Sequence, residues 1–225
     1  MIGSPRVHHR LTDSTNERAK ELAAAGAPHG TLVTADEQTA GRGRQGRVWT
    51  APPRSAVLMS VVLRELHETL PLNAAVAVCE ALPAEAAIKW PNDVWIDRRK
   101  VAGILVEGRP QEGWAVLGIG INVTVDGSDF PAELRELATS LRLAGHPAGV
   151  EDVLAAVVRS LDEWLQASPD RVLDAWRSRD ALNGERVRWA DGEGVADGID
   201  DAGALLVQTR HGRVTLDAGE VHLLR

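Results

Sequence analysis

The chain has 225 residues, 44% of them hydrophobic, and a formal net charge of −7. That is enough for one large domain with a buried core and a small one beside it, and the sign of the charge is wrong for a protein that coats nucleic acid. No run of about 18 apolar residues occurs, and the N-terminus MIGSPRVHHRLTDSTNE lacks the apolar segment of a signal peptide, so a cytoplasmic protein with no membrane partner is expected.

DSTNERAKELAAAG opens with three candidate caps, Asp13, Ser14 and Thr15, continues in good helix formers and stops at Gly26, which predicts a helix. TLVTADEQTA reads as a short strand over residues 31–35 that runs out into a polar turn, SAVLMSVVLR as a buried strand, and LNAAVAVCEAL as a buried helix. The single cysteine, Cys79, excludes an intramolecular disulfide and reads as a small buried hydrophobe in that helix. AAIKW, VWI and VAGILVEG, separated by PND and DRRK, predict consecutive antiparallel strands joined by tight turns, with WAVLGIGINV as a fourth. VDGSDFPAELRELATSL reads as an ordinary linker. VEDVLAAVVRSLDEWL carries apolar residues at helical spacing, and RVLDAWRSR predicts a further helix after Pro169. From Leu182 the pattern changes to ERVRWA, EGVADGID, ALLVQTR, GRVTLD and EVHLLR, short strands punctuated by Gly and Asp. The expected architecture is α+β: a mixed, mainly antiparallel sheet backed by helices over residues 1–182, then a small β-barrel over 183–225, with the break near Asn183 and Gly184.

Two stretches carry chemistry. GRGRQGR, residues 41–47, has the glycine spacing of dinucleotide loops, but such loops need a helix starting at the glycines to hold a pyrophosphate. RVWTAPPRS follows here, and its two prolines forbid one. Arginines alternating with glycines suit an anion clamp, because each guanidinium offers a fork of donors while the glycines let the backbone approach. With Arg42, Arg44 and Arg47 repelling one another and no apolar side chain before Trp49, the loop is expected to be mobile when empty. In KWPNDVWIDRRKVAGILVEG, Pro91 fixes a turn that presents Asn92 and Asp93, and Asp93 suits a magnesium ion. Of the 25 lysines and arginines only Lys20, Lys89 and Lys100 are lysine, and the last two flank this turn.

In order and spacing, STN at 14–16, QTAGRGRQGR at 38–47 with Trp49, KWPND at 89–93, KVAGILV at 100–106 and GIGINV at 118–123 resemble the biotin protein ligases. The resemblance extends to the C-terminal GIDDAGALLV and GEVHLL. It implies the biotin and lipoate ligase fold, akin to class II aminoacyl-tRNA synthetases, with an SH3-like C-terminal barrel. The implied substrates are biotin, ATP with Mg2+, and a lysine on a biotin carboxyl carrier protein of acetyl-CoA carboxylase or a related enzyme. Ser14, Thr15, Asn16 and Gln38 would hold biotin, and Arg42, Gly43 and Arg44 would clamp its carboxylate and the phosphate. Lys100, Lys89 and Asp93 would lie at the reacting groups, and Gly103 and Leu105 along the biotin tail. Arg44, Arg47, Trp49, Asn92 and Asn122 would contact the nucleotide. Asp93 would be either the base for the acceptor lysine or a magnesium ligand. Thirteen residues precede STN, so no repressor module and no nucleic-acid partner are expected. GEVHLLR carries one residue more before its arginine than the family pattern, which leaves ATP roles for Glu220 and Arg225 open, and neither the oligomeric state nor the particular carboxylase is legible. The rival readings are a lipoate or octanoate ligase or transferase, and a non-enzymatic nucleic-acid-binding module.

Overall fold

In the computed structural model, which describes residues 1–224, the chain begins with β1 (Arg6–His9), α1 (Thr15–Ala24), β2 (Leu32–Ala35), β3 (Ala56–Leu63) and α2 (Leu70–Ala81). It continues with β4 (Ala87–Lys89), β5 (Asp93–Ile96), β6 (Arg99–Arg109), β7 (Trp114–Asn122), α3 (Val150–Trp164) and α4 (Pro169–Arg177). The last strands are β8 (Arg186–Trp189), β9 (Gly192–Ile199), β10 (Leu205–Thr209), β11 (Gly212–Leu216) and β12 (His222–Leu223). Arg225 lies outside the described residues. No helix among those residues is long and apolar enough to cross a membrane.

Seven strands form one sheet in the order β1-β2-β3-β7-β6-β5-β4, parallel at β1–β2 and antiparallel elsewhere. All eight residues of β3 are buried, because both faces are covered. On one face Val33, Val62 and Val116 pack on Ala19 and Ala23 of α1. On the other, Val57, Met59, Val61 and Leu63 join α2 and α3 in the main core. Small residues at Ala74, Ala75 and Ala77 bring α2 close to the sheet. Edge strand β4 is covered by residues 179–181: Ile88 N–H donates to the Arg179 carbonyl at 2.7 Å, and Ala181 N–H to the Ile88 carbonyl at 2.9 Å.

Two features depart from the expectation. Strand β1 was not expected, since its four residues RVHH alternate only weakly between exposed and half-buried. The segment read as a linker, residues 125–141, contains two 3-10 turns, Gly127–Asp129 and Ala132–Leu134, and its own small core of Val125, Phe130 and Ala138.

The five strands after residue 182 form an antiparallel sheet in the order β11-β10-β9-β8-β12. Its inward residues Val187, Ala196, Ile199, Leu205, Val207 and Val221 belong to the same buried cluster as α2, α4 and β6. Trp90 bridges the two sheets: it is 2% exposed, and its indole N–H donates to the Gly203 carbonyl at 3.0 Å. A core that runs through both sheets predicts one cooperative unfolding transition by circular dichroism and by tryptophan fluorescence. Trp90→Ala should lower stability by about 3–5 kcal/mol in urea titrations, through the cavity it leaves and the orphaned carbonyl.

Candidate active site

The floor of the site is the face of β6 and β7 turned toward α1. Along β7, Ile119 and Ile121 enter the core while Gly118, Gly120 and Asn122 alternate onto the opposite face. Gly103 pairs with Gly120, and Leu105 with Gly118. A Cβ on Gly118 would lie 2.1 Å from Asn16 Oδ1, and one on Gly120 2.5 Å from Trp49 Cε2, so side chains that cross the sheet fill the places of the missing Cβ atoms. Over this floor lies a cavity of about 480 Å³, within the ordinary size of small-molecule sites.

Four walls surround it. The first is the N-terminus of α1, where Ser14, Thr15 and Asn16 are buried. Ser14 occupies the cap position without a side-chain cap bond; Gln38 Oε1 instead accepts from Thr15 N–H at 2.7 Å and sits 3.0 Å from Thr15 Oγ1. Ser60 donates to Asn16 Oδ1 at 2.5 Å, and Asn16 Nδ2 donates to Glu107 at 2.8 Å. The second wall is the glycine-arginine stretch, which forms a small hairpin: Gly43 N–H donates to the Arg47 carbonyl at 2.7 Å and Trp49 N–H to the Gly41 carbonyl at 3.0 Å. Its tip turns through Gln45 and Gly46, at φ of 56° and 76°. The third is the β4–β5 turn, where Asn92 Nδ2 ties the turn to β6 through the Ile104 carbonyl at 2.8 Å. The fourth, apolar wall is the former linker, with Phe130, Leu134 and Leu137. It is pinned by Lys100 N–H to the Leu137 carbonyl at 2.8 Å and by Asn122 Nδ2 to the Thr139 carbonyl at 3.0 Å.

The charges are segregated. Arg42 pairs with Glu17 at 3.1 Å and lies 3.9 Å from Glu107, while Arg47 pairs with Glu220 of the second sheet. These carboxylates offset the mutual repulsion expected of the loop. Among the described residues Arg44 has no carboxylate within ion-pair distance, and burial followed by the charge of Arg47 pushes its pKa below the usual arginine value. Lys100 Nζ lies 2.6 Å from Asp93 Oδ1 and 5.7 Å from the Trp49 ring centre. Lys89 stands 5.8 Å from the Trp95 ring centre, and burial pushes its pKa down while Asp93 pulls it up. Arg44, Arg47, Lys89 and Lys100 thus face only Asp93 and Glu220, an excess of positive charge suited to an anion.

The residues given a role in the sequence analysis line this one cavity: Ser14, Thr15, Asn16, Gln38, Arg42, Gly43, Arg44, Arg47, Trp49, Lys89, Asn92, Asp93, Lys100, Gly103, Leu105 and Asn122; Glu220, whose role was left open, is not among its lining residues. Their hydrogen bonds refine several of them. Asn16 is engaged on both sides of its amide, and Asn92 and Asn122 each commit Nδ2 to a backbone carbonyl. Residues the sequence reading missed are Ser60, Trp95, Glu17, Glu107, the apolar wall, and Val221 to Leu223 from the second sheet. The signal available for Glu107 was its place four residues after Gly103, on the same strand face.

Residues 8–126 match the biotin/lipoate A/B protein ligase family, and residues 184–224 the biotin protein ligase C terminal domain. The chain is 38% identical to the bifunctional ligase/repressor BirA of Bacillus subtilis, over 99% of this chain and 75% of that protein. It is 37% identical to the biotin--[acetyl-CoA-carboxylase] ligase of Mycobacterium tuberculosis, over 95% of this chain and 87% of that protein. A solved biotin protein ligase from Aquifex aeolicus in complex with biotin and ATP superposes with a TM-score of 0.85 at 30% identity, covering 99% of each chain.

Lys89 supplies a test of whether the positive charge is held at the expense of stability. Its folded pKa lies below the unfolded value of 10.5, so between those values the unfolded chain binds more protons and stability rises with pH. Lys89→Met should therefore stabilise the protein at neutral pH, with the gain shrinking as pH approaches the unfolded value. Urea midpoints measured across pH check this.

Proposed function

The chain belongs to the biotin protein ligase family, and on that premise we propose how the pocket performs the reaction. The protein is an ATP-dependent, AMP-forming ligase that joins biotin to a carboxylase subunit. The observation that carries the residue assignment is that Arg44 and Lys89, without an ion-paired carboxylate among the described residues, share one cavity with the Lys100–Asp93 pair between a neutral hydrogen-bonding end and an apolar end.

In the first step a biotin carboxylate oxygen attacks the α-phosphorus of ATP, the bond to the bridging oxygen breaks, and pyrophosphate leaves. The carboxylate is already ionised, so no base is needed; the barrier is the meeting of two anions. Ser14, Thr15 and Gln38 hold the biotin head at the neutral end. Arg44, Lys100 and Lys89 take up the charge that develops, and Arg47 receives the nucleotide phosphates in exchange for Glu220. The wall of Phe130, Leu134 and Leu137, with Trp49, takes the adenine; the Trp49 indole N–H is buried without an acceptor among the described residues, a donor left for the ligand. In the second step the acceptor lysine, as the neutral amine, attacks the acyl carbon of biotinyl-AMP, the bond from that carbon to the phosphate oxygen breaks, AMP departs, and the proton shed by the new amide nitrogen passes to solvent.

We assign Asp93 to holding Lys100 rather than to a metal. Its carboxylate is ion-paired with Lys100 Nζ at 2.6 Å. Magnesium belongs to the nucleotide substrate, carried on its phosphates. Residues 1–182 carry the pocket, and residues 183–225 form the unit that closes one side of it.

Biotin-dependent exchange of pyrophosphate into ATP, followed by a streptavidin blot of a carrier domain, tests the reading; exchange with lipoate or octanoate instead of biotin would select the rival ligases. Lys100→Met should lower kcat about 10²- to 10³-fold. Asp93→Asn should lower kcat about tenfold or more at an unchanged Mg2+ requirement; a raised requirement would make Asp93 a metal ligand. Arg44→Gly should release biotinyl-AMP early and biotinylate bystander proteins, and unchanged bystander labelling would remove the clamp role.

A further inference from the structure

We infer that Glu107 is a positioning residue that seats the arginine hairpin against the biotin end of the pocket, with Glu17 as its partner carboxylate. This rests on the ligase reading above for its kinetic consequence, though not for its structural one.

Glu107 lies on β6, on the strand face that also carries Gly103 and Leu105. Beneath the hairpin is a second cavity of about 580 Å³, lined by residues 40–48 together with Leu105 and Glu107. The Glu107 carboxylate is therefore the acidic group that faces the underside of the hairpin. Its Oε2 accepts from Asn16 Nδ2 at 2.8 Å, and its Oε1 accepts from Lys20 Nζ at 2.6 Å. Lys20 in turn reaches Glu17 at 3.0 Å, and Arg42 binds Glu17 at 3.1 Å with Glu107 at 3.9 Å. Two carboxylates and two cations close a neutral ring that joins α1, β6 and the hairpin. Burial alone would raise the Glu107 pKa; the hydrogen bonds from Asn16 and Lys20 and the charges of Lys20 and Arg42 outweigh it, and the group is held below the usual carboxylate value.

Two consequences follow from one side chain. Through Asn16, Glu107 fixes an amide that is buried against Gly118 at the end of the cavity. Through Arg42, it anchors the first strand of the hairpin, so that Arg44 at the tip is presented with no ion-paired carboxylate among the described residues. A hairpin seated by charge opens more often when the charge is removed, and the intermediate beneath it escapes faster.

Glu107→Gln keeps an acceptor for Asn16 and removes the charge that Arg42 and Lys20 meet. The first measurement needs no substrate: limited trypsin digestion of the unliganded protein, following cleavage after Arg44 and Arg47. Glu107→Gln should be nicked about three- to tenfold faster than wild type, with a thermal midpoint within about 3 °C of it. Equal nicking rates would overturn the proposal, whatever the protein ligates. The second is the release rate of biotinyl-AMP, measured after wild-type pyrophosphate exchange has established the reaction. Glu107→Gln and Arg42→Ala should each raise release by a similar factor, and the double variant should be no faster than the faster single one. Effects that multiply in the double variant would overturn the coupling. Raised salt should speed release in wild type and do so less in Glu107→Gln, because screening acts on the ion pairs and the hairpin of the variant keeps only those of Arg42 with Glu17 and Arg47 with Glu220.

Discussion

Gly103 faces Gly120 across the β6–β7 ladder, and the bare backbone at that pair is the constraint on which the site is built. A strand alternates its side chains, so a sheet buried on one face by isoleucines must display something on the other. Here it displays glycine at three of the crossing points, and the missing side chains are replaced by groups from elsewhere: Asn16 over Gly118, and Trp49 over Gly103 and Gly120. The sheet thus acts as a flat surface on which a helix terminus and the Trp49 end of the hairpin converge within van der Waals distance. Any larger residue at Gly118 or Gly120 would push the helix N-terminus or the indole away from the reacting groups.

The same economy governs charge. A cluster of arginines and lysines in one cavity is unstable unless most of them have partners, and the partners determine which cation remains available. Arg42 is taken by Glu17 and Glu107, Arg47 by Glu220, and Lys100 by Asp93. Among the described residues Lys89 and Arg44 are left without an ion-paired carboxylate, and Arg44 sits half-buried at the tip of the hairpin. Its place in the turn follows from the backbone, since Gln45 and Gly46 at positive φ reverse the chain immediately after it. A reaction that brings two anions together draws on this remaining charge.

Much of this was legible because the chemistry is concentrated in contiguous tags. The alternation in GIGINV gives both the core face and the bare face, and the prolines after GRGRQGR exclude a dinucleotide helix before any fold is known. What was not legible came from pairings distant in sequence. Glu107 looks like the solvated end of an apolar strand until Asn16, 91 positions away, and Lys20, 87 away, are brought to it. Residues 125–141 look like a linker because their order comes from short 3-10 turns and from backbone bonds to Lys100 and Asn122, neither of which leaves a periodic pattern. Strand β1 is an edge with a single neighbour, so only weak alternation marks it.

Trp90 shows why the C-terminal sheet belongs to the site as well as to the fold. It stands between Lys89 and Asp93, the register partners that close the β4–β5 turn, with Lys89 directed to the cavity. Its own indole is buried in the shared core and donates to Gly203 in the loop between β9 and β10. The spacing of Lys89 and Asp93 in the cavity is therefore set by a tryptophan whose packing is completed only by the second sheet. Glu220 reaches the hairpin from that same sheet through Arg47. Shifting the sheet would move one charge directly and two others through the turn that Trp90 holds, so catalytic geometry and the closure of the core are the same structural requirement.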